Sequence, residues 1–151
     1  MNRKNQTVLD LHEFLPYRIS VIEQQISRAI ARCYSAQHDL GRFEWRVLAC
    51  LGMFEDMTAR DICEFTLMEK MQASRALSNL QRKGLVTQQK SPEDNRHILV
   101  NLSSAGEQLY LKLVPEVMEE EQQIFSILSK DEIATFSRIV DKLCQSIRAA
   151  H

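Results

Sequence analysis

Between Lys70 and Arg82 the chain sets out the side chains with the most chemistry to offer. Wound at roughly 100° per residue, this stretch places Met71, Gln72, Arg75, Ser78, Asn79 and Arg82 on one side and Ala73, Leu77 and Leu80 on the other. No carboxylate stands on the polar side. A guanidinium pairs with the O6 and N7 of guanine, a carboxamide with the N6 and N7 of adenine, and a short hydroxyl with either. An ordinary solvated helix face mixes Glu with Lys. This one omits the acid, which favours a DNA edge over water as its counterpart.

Such a face works only if other elements hold its apolar side, and the periodicity predicts them. Leu15, Ile19, Ile22, Ile26, Ile30 and Cys33 recur at three- and four-residue steps behind Pro16, which suits a first helical turn. Phe43–Glu55 reads as a second helix after Gly41, with Val47, Leu48, Leu51 and Phe54 on one face. Thr58 and Asp61 resemble a capping box opening a short helix to about Phe65. A brief connection, Thr66–Leu67–Met68, leads to a helix over Glu69–Lys83 that ends at Gly84. Alternation then replaces the helical period in Leu85–Gln89 and His97–Leu102, a β-hairpin with the turn-rich tip Lys90–Arg96. Ser103 caps a fifth helix in which Pro115 predicts a kink. Ser129 and Glu132 open a sixth, with Ile133, Phe136, Val140, Leu143 and Ile147 near heptad spacing. Residues 1–13 are polar and expected to be loosely ordered.

The order short helix, tight connection, helix, hairpin is that of a winged helix-turn-helix, whose second helix enters the major groove. The expected fold is therefore mainly α with a small β-hairpin wing, its core flanked by N- and C-terminal helices.

Composition narrows the classes further. With 151 residues the chain is one domain, large enough to bury a core without disulfides. Four Gly and three Pro exclude collagen-like, low-complexity and β-sandwich chains. The formal charge of −1 argues against nucleic acid until it is divided. Residues 69–102 carry six basic and three acidic side chains, whereas 47–68 carry one and four and 103–151 five and eight. Screening limits fields to roughly 8–10 Å, so the local excess counts. No GxSxG, Walker, Rossmann or zinc motif marks an enzyme, and no cofactor is expected. The N-terminus lacks a signal peptide's apolar region, and no run is long enough for a membrane span, so a cytoplasmic location is expected.

Five motifs in order carry a family resemblance. They are Glu44-Trp45-Arg46-Val47-Leu48, Ala73-Ser74-Arg75, Leu80-x-x-Lys83-Gly84-Leu85-Val86, Pro92-Glu93-Asp94-x-Arg96 and Leu102-Ser103-x-x-Gly106. Over residues 40–109 the chain resembles the winged-helix core of the multiple-antibiotic-resistance regulator (MarR) family. The resemblance implies a homodimeric, ligand-responsive transcriptional regulator, usually a repressor, on double-stranded pseudo-palindromic operator DNA. It implies one domain over 1–151, with dimerisation helices over 15–38 and 104–148 and a DNA-binding core over 41–102. Arg75, with Ser74, Gln72 and Lys70, would enter the major groove beside Asn79 and Arg82 of the polar stripe. Arg96 at the wing tip would reach the minor groove, whose negative potential attracts arginine. Asp94 would hold Arg96 or the hairpin, unless it is a plain turn residue. The chain departs from the family at Gln88, Gln89 and Asn95, where arginines are common, which predicts a shallower salt dependence. Gly41 replaces the usual Ser/Thr cap, a small loss.

The same resemblance places a small organic effector, often an aromatic or phenolic acid, between the dimer helices and the core. An aromatic acid or its coenzyme A thioester is the class expected. Tyr17, Arg18, Trp45 and Arg46 could supply a cation and an aromatic wall, though Trp45 also suits a core anchor and Arg46 an ion pair. Two alternatives remain: a thiol-redox sensor using Cys33 beside Arg32 and Tyr34, and a helical dimer or adaptor that binds no DNA. Cys33, Cys50, Cys63 and Cys144 form no CxxC pair and are expected as small buried side chains. His12, His38, His97 and His151 show no metal-ligand spacing, so no metal is expected.

Overall fold

The computed structural model describes residues 8–94 and 96–150 of the chain. Expectations placed on residues 1–7, Asn95 and His151 fall outside the described residues. The element order is α1 (Leu15–His38), α2 (Arg42–Met53), α3 (Ala59–Thr66), α4 (Lys70–Arg82), β1 (Val86–Lys90), β2 (Ile98–Leu102), α5 (Ser104–Phe125) and α6 (Lys130–Ala150). It is a mainly helical chain with a two-stranded antiparallel wing, as the periodicity predicts.

Local chemistry sets the boundaries. Asp39 closes α1 in the left-handed conformation, φ 51°, its N–H donating to the Ser35 carbonyl at 3.0 Å. Gly41 opens α2, and the Glu44 carboxylate accepts its N–H at 3.2 Å. Phe54 is already extended, so α2 ends at Met53, two residues short of the expected end at Glu55. At α3 the capping box is reciprocal: Asp61 N–H donates to Thr58 Oγ1 at 3.2 Å and Thr58 N–H to Asp61 Oδ2 at 2.8 Å. Leu67 makes the α3–α4 turn in the left-handed region at φ 53°, and Gly84 does the same after α4 at φ 69°. The hairpin runs from Val86 opposite Leu102 to Lys90 opposite Ile98, one residue later on the first strand than alternation predicts. Met57 adds a single bridge to Val100, whose N–H donates to the Met57 carbonyl at 2.8 Å. Pro115 is accommodated inside a continuous α5.

One core lies behind α4. Helix α2 contributes Val47, Leu48, Cys50 and Leu51, and α4 contributes Ala73, Ala76, Leu77 and Leu80. Tyr34, Ile62, Val86, Val100 and Leu113 complete it from the surrounding elements. Leu80 is fully buried, so truncation to Ala would cost about 2–5 kcal/mol. The base of the wing is fastened to α5: Ser103 N–H donates to the Leu85 carbonyl at 3.0 Å and Ser103 Oγ to the Gly84 carbonyl at 2.6 Å. Gly106 packs against that same Leu85 carbonyl, so a methyl group there would overlap the oxygen. Helix α6 buries no residue at all in the single chain.

Candidate nucleic-acid interface

Helix α4 is held by its alanine and leucine side, and this fixes what it offers outward. Lys70, Ser74, Arg75, Ser78 and Arg82 are exposed. Gln72 turns back to cap its own helix, its Oε1 accepting the Glu69 N–H at 3.2 Å. Asn79 is half-buried, its amide donating to Glu44 Oε1 at 2.8 Å and accepting from Arg82 Nη2 at 3.0 Å. The polar stripe thus divides into outward groups (Lys70, Ser74, Arg75) and groups already bonded within the protein (Gln72, Asn79, Arg82).

The wing presents Arg96 on a fixed support. The Asp94 carboxylate accepts the Arg96 backbone N–H at 3.0 Å, its Nε at 3.1 Å and its Nη2 at 3.0 Å. His97 Nε2 lies 3.6 Å from Asp94 Oδ2. These bonds, the Arg96 side chain's foremost, hold the Asp94 carboxyl below the usual carboxylate range. Buried Ser91 tightens the turn, its Oγ accepting the Glu93 and Asp94 N–H groups at 3.3 and 3.4 Å. The Arg96 side chain nevertheless remains 88% exposed, oriented by its partner but not hidden by it.

A second feature lies between α1, α2 and α6. A cleft of about 490 Å³ has Ile19, Ile22, Ile26, Ile30, Phe136 and Val140 as apolar walls. Its floor holds Tyr34 stacked on Trp45, ring centroids 5.4 Å apart and planes 15° from parallel. Arg42 Nη2 stands 2.6 Å from Glu23 Oε1, and Arg46 Nη2 stands 3.5 Å from the same oxygen. Two guanidiniums therefore share one carboxylate, leaving a cation in excess. The Nε of Arg42 is buried without a hydrogen-bond partner among the described residues. Burial raises the Tyr34 phenol while Arg42 and Arg46 pull it down, with burial prevailing.

The profile of the MarR family matches residues 38–97, the stretch from the end of α1 through α4 to the wing. Over that stretch the chain is similar to the MarR family. The homoprotocatechuate degradative operon repressor of Escherichia coli is 21% identical over 106 residues, 70% of this chain and 72% of that one. The MarR/EmrR family regulator of Acinetobacter sp. ADP1 superposes with a TM-score of 0.85 at 20% identity, covering 93% of this chain and 99% of its own. BpsR of Bordetella bronchiseptica, described for regulation of its DNA binding by 6-hydroxynicotinic acid, superposes with a TM-score of 0.82 at 18% identity, covering 91% and 98%. The structural likenesses establish the fold. The family and its named relatives are transcriptional regulators, not enzymes.

The candidate effector residues separate in space. Trp45 and Arg46 line the cleft, whereas Tyr17 and Arg18 are not part of its lining. Tyr34 and Arg42 are there instead. Arg42 was legible as the residue one helical turn before Arg46, on the same face. The cysteines differ from expectation too. Cys50 is buried, Cys33 and Cys63 half-buried, but Cys144 is exposed on α6, because the single chain has nothing to cover that helix. Burial, reinforced by Glu120 and Glu116, raises the Cys33 thiol above its ordinary value. No helix among the described residues is long and apolar enough to cross a membrane.

Proposed function

We propose that this MarR-family regulator is a cytoplasmic homodimeric repressor, released from a pseudo-palindromic operator by an anionic aromatic ligand. One observation carries the DNA half: α4 turns a carboxylate-free face outward and the wing presents a supported arginine beside it. Lys70, Ser74 and Arg75 make direct contacts in the major groove, and Arg96 enters the minor groove. Gln72, Asn79 and Arg82 reach the same surface from positions bonded to the protein, and contribute as much by holding the helix as by touching bases. Asp94 is the wing's support.

The dimer follows from unburied surface. Ile133, Phe136, Ile139, Val140, Leu143 and Ile147 of α6 are each 40–60% exposed, and Leu15, Ile19 and Ile22 of α1 are 49–62% exposed. An apolar patch that continuous marks an association surface. Residues 15–38 and 104–148 supply it, and 41–102 form the DNA-reading core. A two-fold axis would set the paired α4 helices about 34–36 Å apart, one DNA turn.

The excess cation, the Tyr34–Trp45 stack and the isoleucine walls suit an aromatic acid or its coenzyme A thioester, and BpsR gives a precedent in 6-hydroxynicotinic acid. A ligand that binds better when the α4 helices are misplaced must weaken DNA binding by the same factor. A gel shift with the DNA upstream of the chain's own gene tests this. Retardation by the wild type, its loss in Arg75→Ala with the dimer intact, and its reversal by a member of an aromatic-acid and thioester panel are expected. A wild type with no DNA affinity would reduce the chain to a helical adaptor.

A further inference from the structure

Behind the outward face of α4 lies a nearly buried carboxylate, Glu44. The Glu44 side chain is only 10% exposed, and it bonds both to the cap of its own helix and across to α4. Its Oε2 accepts the Gly41 N–H at 3.2 Å and Lys83 Nζ at 3.0 Å, while Oε1 accepts Asn79 Nδ2 at 2.8 Å. Lys83 in turn donates to the Asp39 carbonyl and lies 3.5 Å from the Asp39 carboxylate. Asp39 is the residue that closes α1, and Lys83 the one that closes α4. The buried acid therefore ties the end of α4 to the start of α2, and through Lys83 the end of α1 joins them.

Stability is a weak reason for such a node, since apolar residues of the same volume commonly serve a fold as well or better than a buried ion pair. Direction is a stronger one. The apolar side of α4 gives the core two small residues, Ala73 and Ala76, beside Leu77 and Leu80; apolar packing is non-directional, whereas hydrogen bonds at fixed angles resist both sliding and rotation. We propose that Glu44 is a positioning residue for DNA recognition, setting the rotation and axial position of α4 relative to α1 and so to its two-fold mate. The proposal rests on the DNA-binding function above.

The test uses the full chain, with Glu44→Gln, Lys83→Gln and the double variant beside the wild type. The probes are a duplex that the wild type selects from random sequence and a scrambled duplex of the same length and composition, read by anisotropy over a salt series. Each single variant is expected to lower the preference for the selected duplex at least tenfold, and the double variant no further than the worse single. Affinity for the scrambled duplex and its salt slope should stay unchanged, because Lys70, Arg75 and Arg96 remain in place. Variants that melt earlier yet keep the preference, or that weaken both duplexes equally, would overturn the proposal in favour of a merely structural role. Should Glu44→Gln fail to fold, Lys83→Gln decides alone, since Lys83 is partly exposed and its loss leaves the Gly41 and Asn79 bonds standing. A wild type that enriches no sequence defeats the DNA-binding function and this inference together; unchanged variants of a selective wild type defeat this inference only.

Discussion

Cys33 shows how a single side chain's surroundings choose between two kinds of sensor. Its Sγ donates to the Glu116 carbonyl at 3.7 Å, and burial with two nearby glutamates keeps the thiol protonated, the opposite of what a peroxide sensor needs. Treatment with excess peroxide should therefore leave operator binding of the wild type and of Cys33→Ser equal; a loss confined to the wild type would restore the redox alternative. At this scale the sequence tells part of the story. Arg75 is legible because an exposed cation on a carboxylate-free face looks the same in a list of letters as in space. Asn79 is not, because its partner Glu44 stands thirty-five positions earlier and only the α2–α4 packing joins them. Tyr34 is hidden for the same reason. In the sequence it stands only as a neighbour of Cys33, yet it stacks on Trp45 and is almost wholly buried.

Among the elements, the turn between α3 and α4 carries the clearest strain. Leu67 holds φ 53° while leaving 77% of its surface exposed. A non-glycine residue there costs about 1–3 kcal/mol, and glycine's greater freedom when unfolded returns about 0.5–1 kcal/mol of that. Leu67→Gly should stabilise the fold by about 1 kcal/mol, or roughly 2–4 °C in thermal midpoint for a chain of this size, measured by calorimetry; an unchanged or lowered midpoint would mean that the leucine has a packing role. The six helices and the wing were foreseeable because caps and apolar periods are local signals. Leu67's conformation was not, since nothing in Thr66–Leu67–Met68 resembles a glycine turn. The helix α3 capping box and the wing tip KSPEDNR, by contrast, announce themselves in four and seven letters.

For the whole molecule, association and ionic strength are the two accessible variables. Leu143 lies mid-way along the uncovered α6 stripe. Leu143→Glu should give a monomer by light scattering and, with the second half-site no longer tethered, an operator affinity lower by about 100-fold or more; a dimer of normal mass would send the interface elsewhere. The wing strand carries exposed, uncharged Gln88 and Gln89, so in the proposed complex that side would neutralise few phosphates. Gln88→Arg with Gln89→Arg should steepen the slope of log affinity against log salt by about 0.9 per new phosphate contact. An unchanged slope would place β1 away from the backbone of the DNA.

The tight meeting of Gly106 with the Leu85 carbonyl has a mechanical consequence. Helix α5 has 22 residues, a rod of about 33 Å at 1.5 Å per residue, and its first turn is clamped to the root of the wing with no side chain between as cushion. Were α5 to hinge near its far end, where it meets α6, rod and wing would move as one arm. A swing of only about 5° sweeps the clamped end through about 3 Å over that length, close to the rise of one base pair. A regulator built this way would need no soft joint to alter its hold on DNA, only a long arm with nothing loose at the hand.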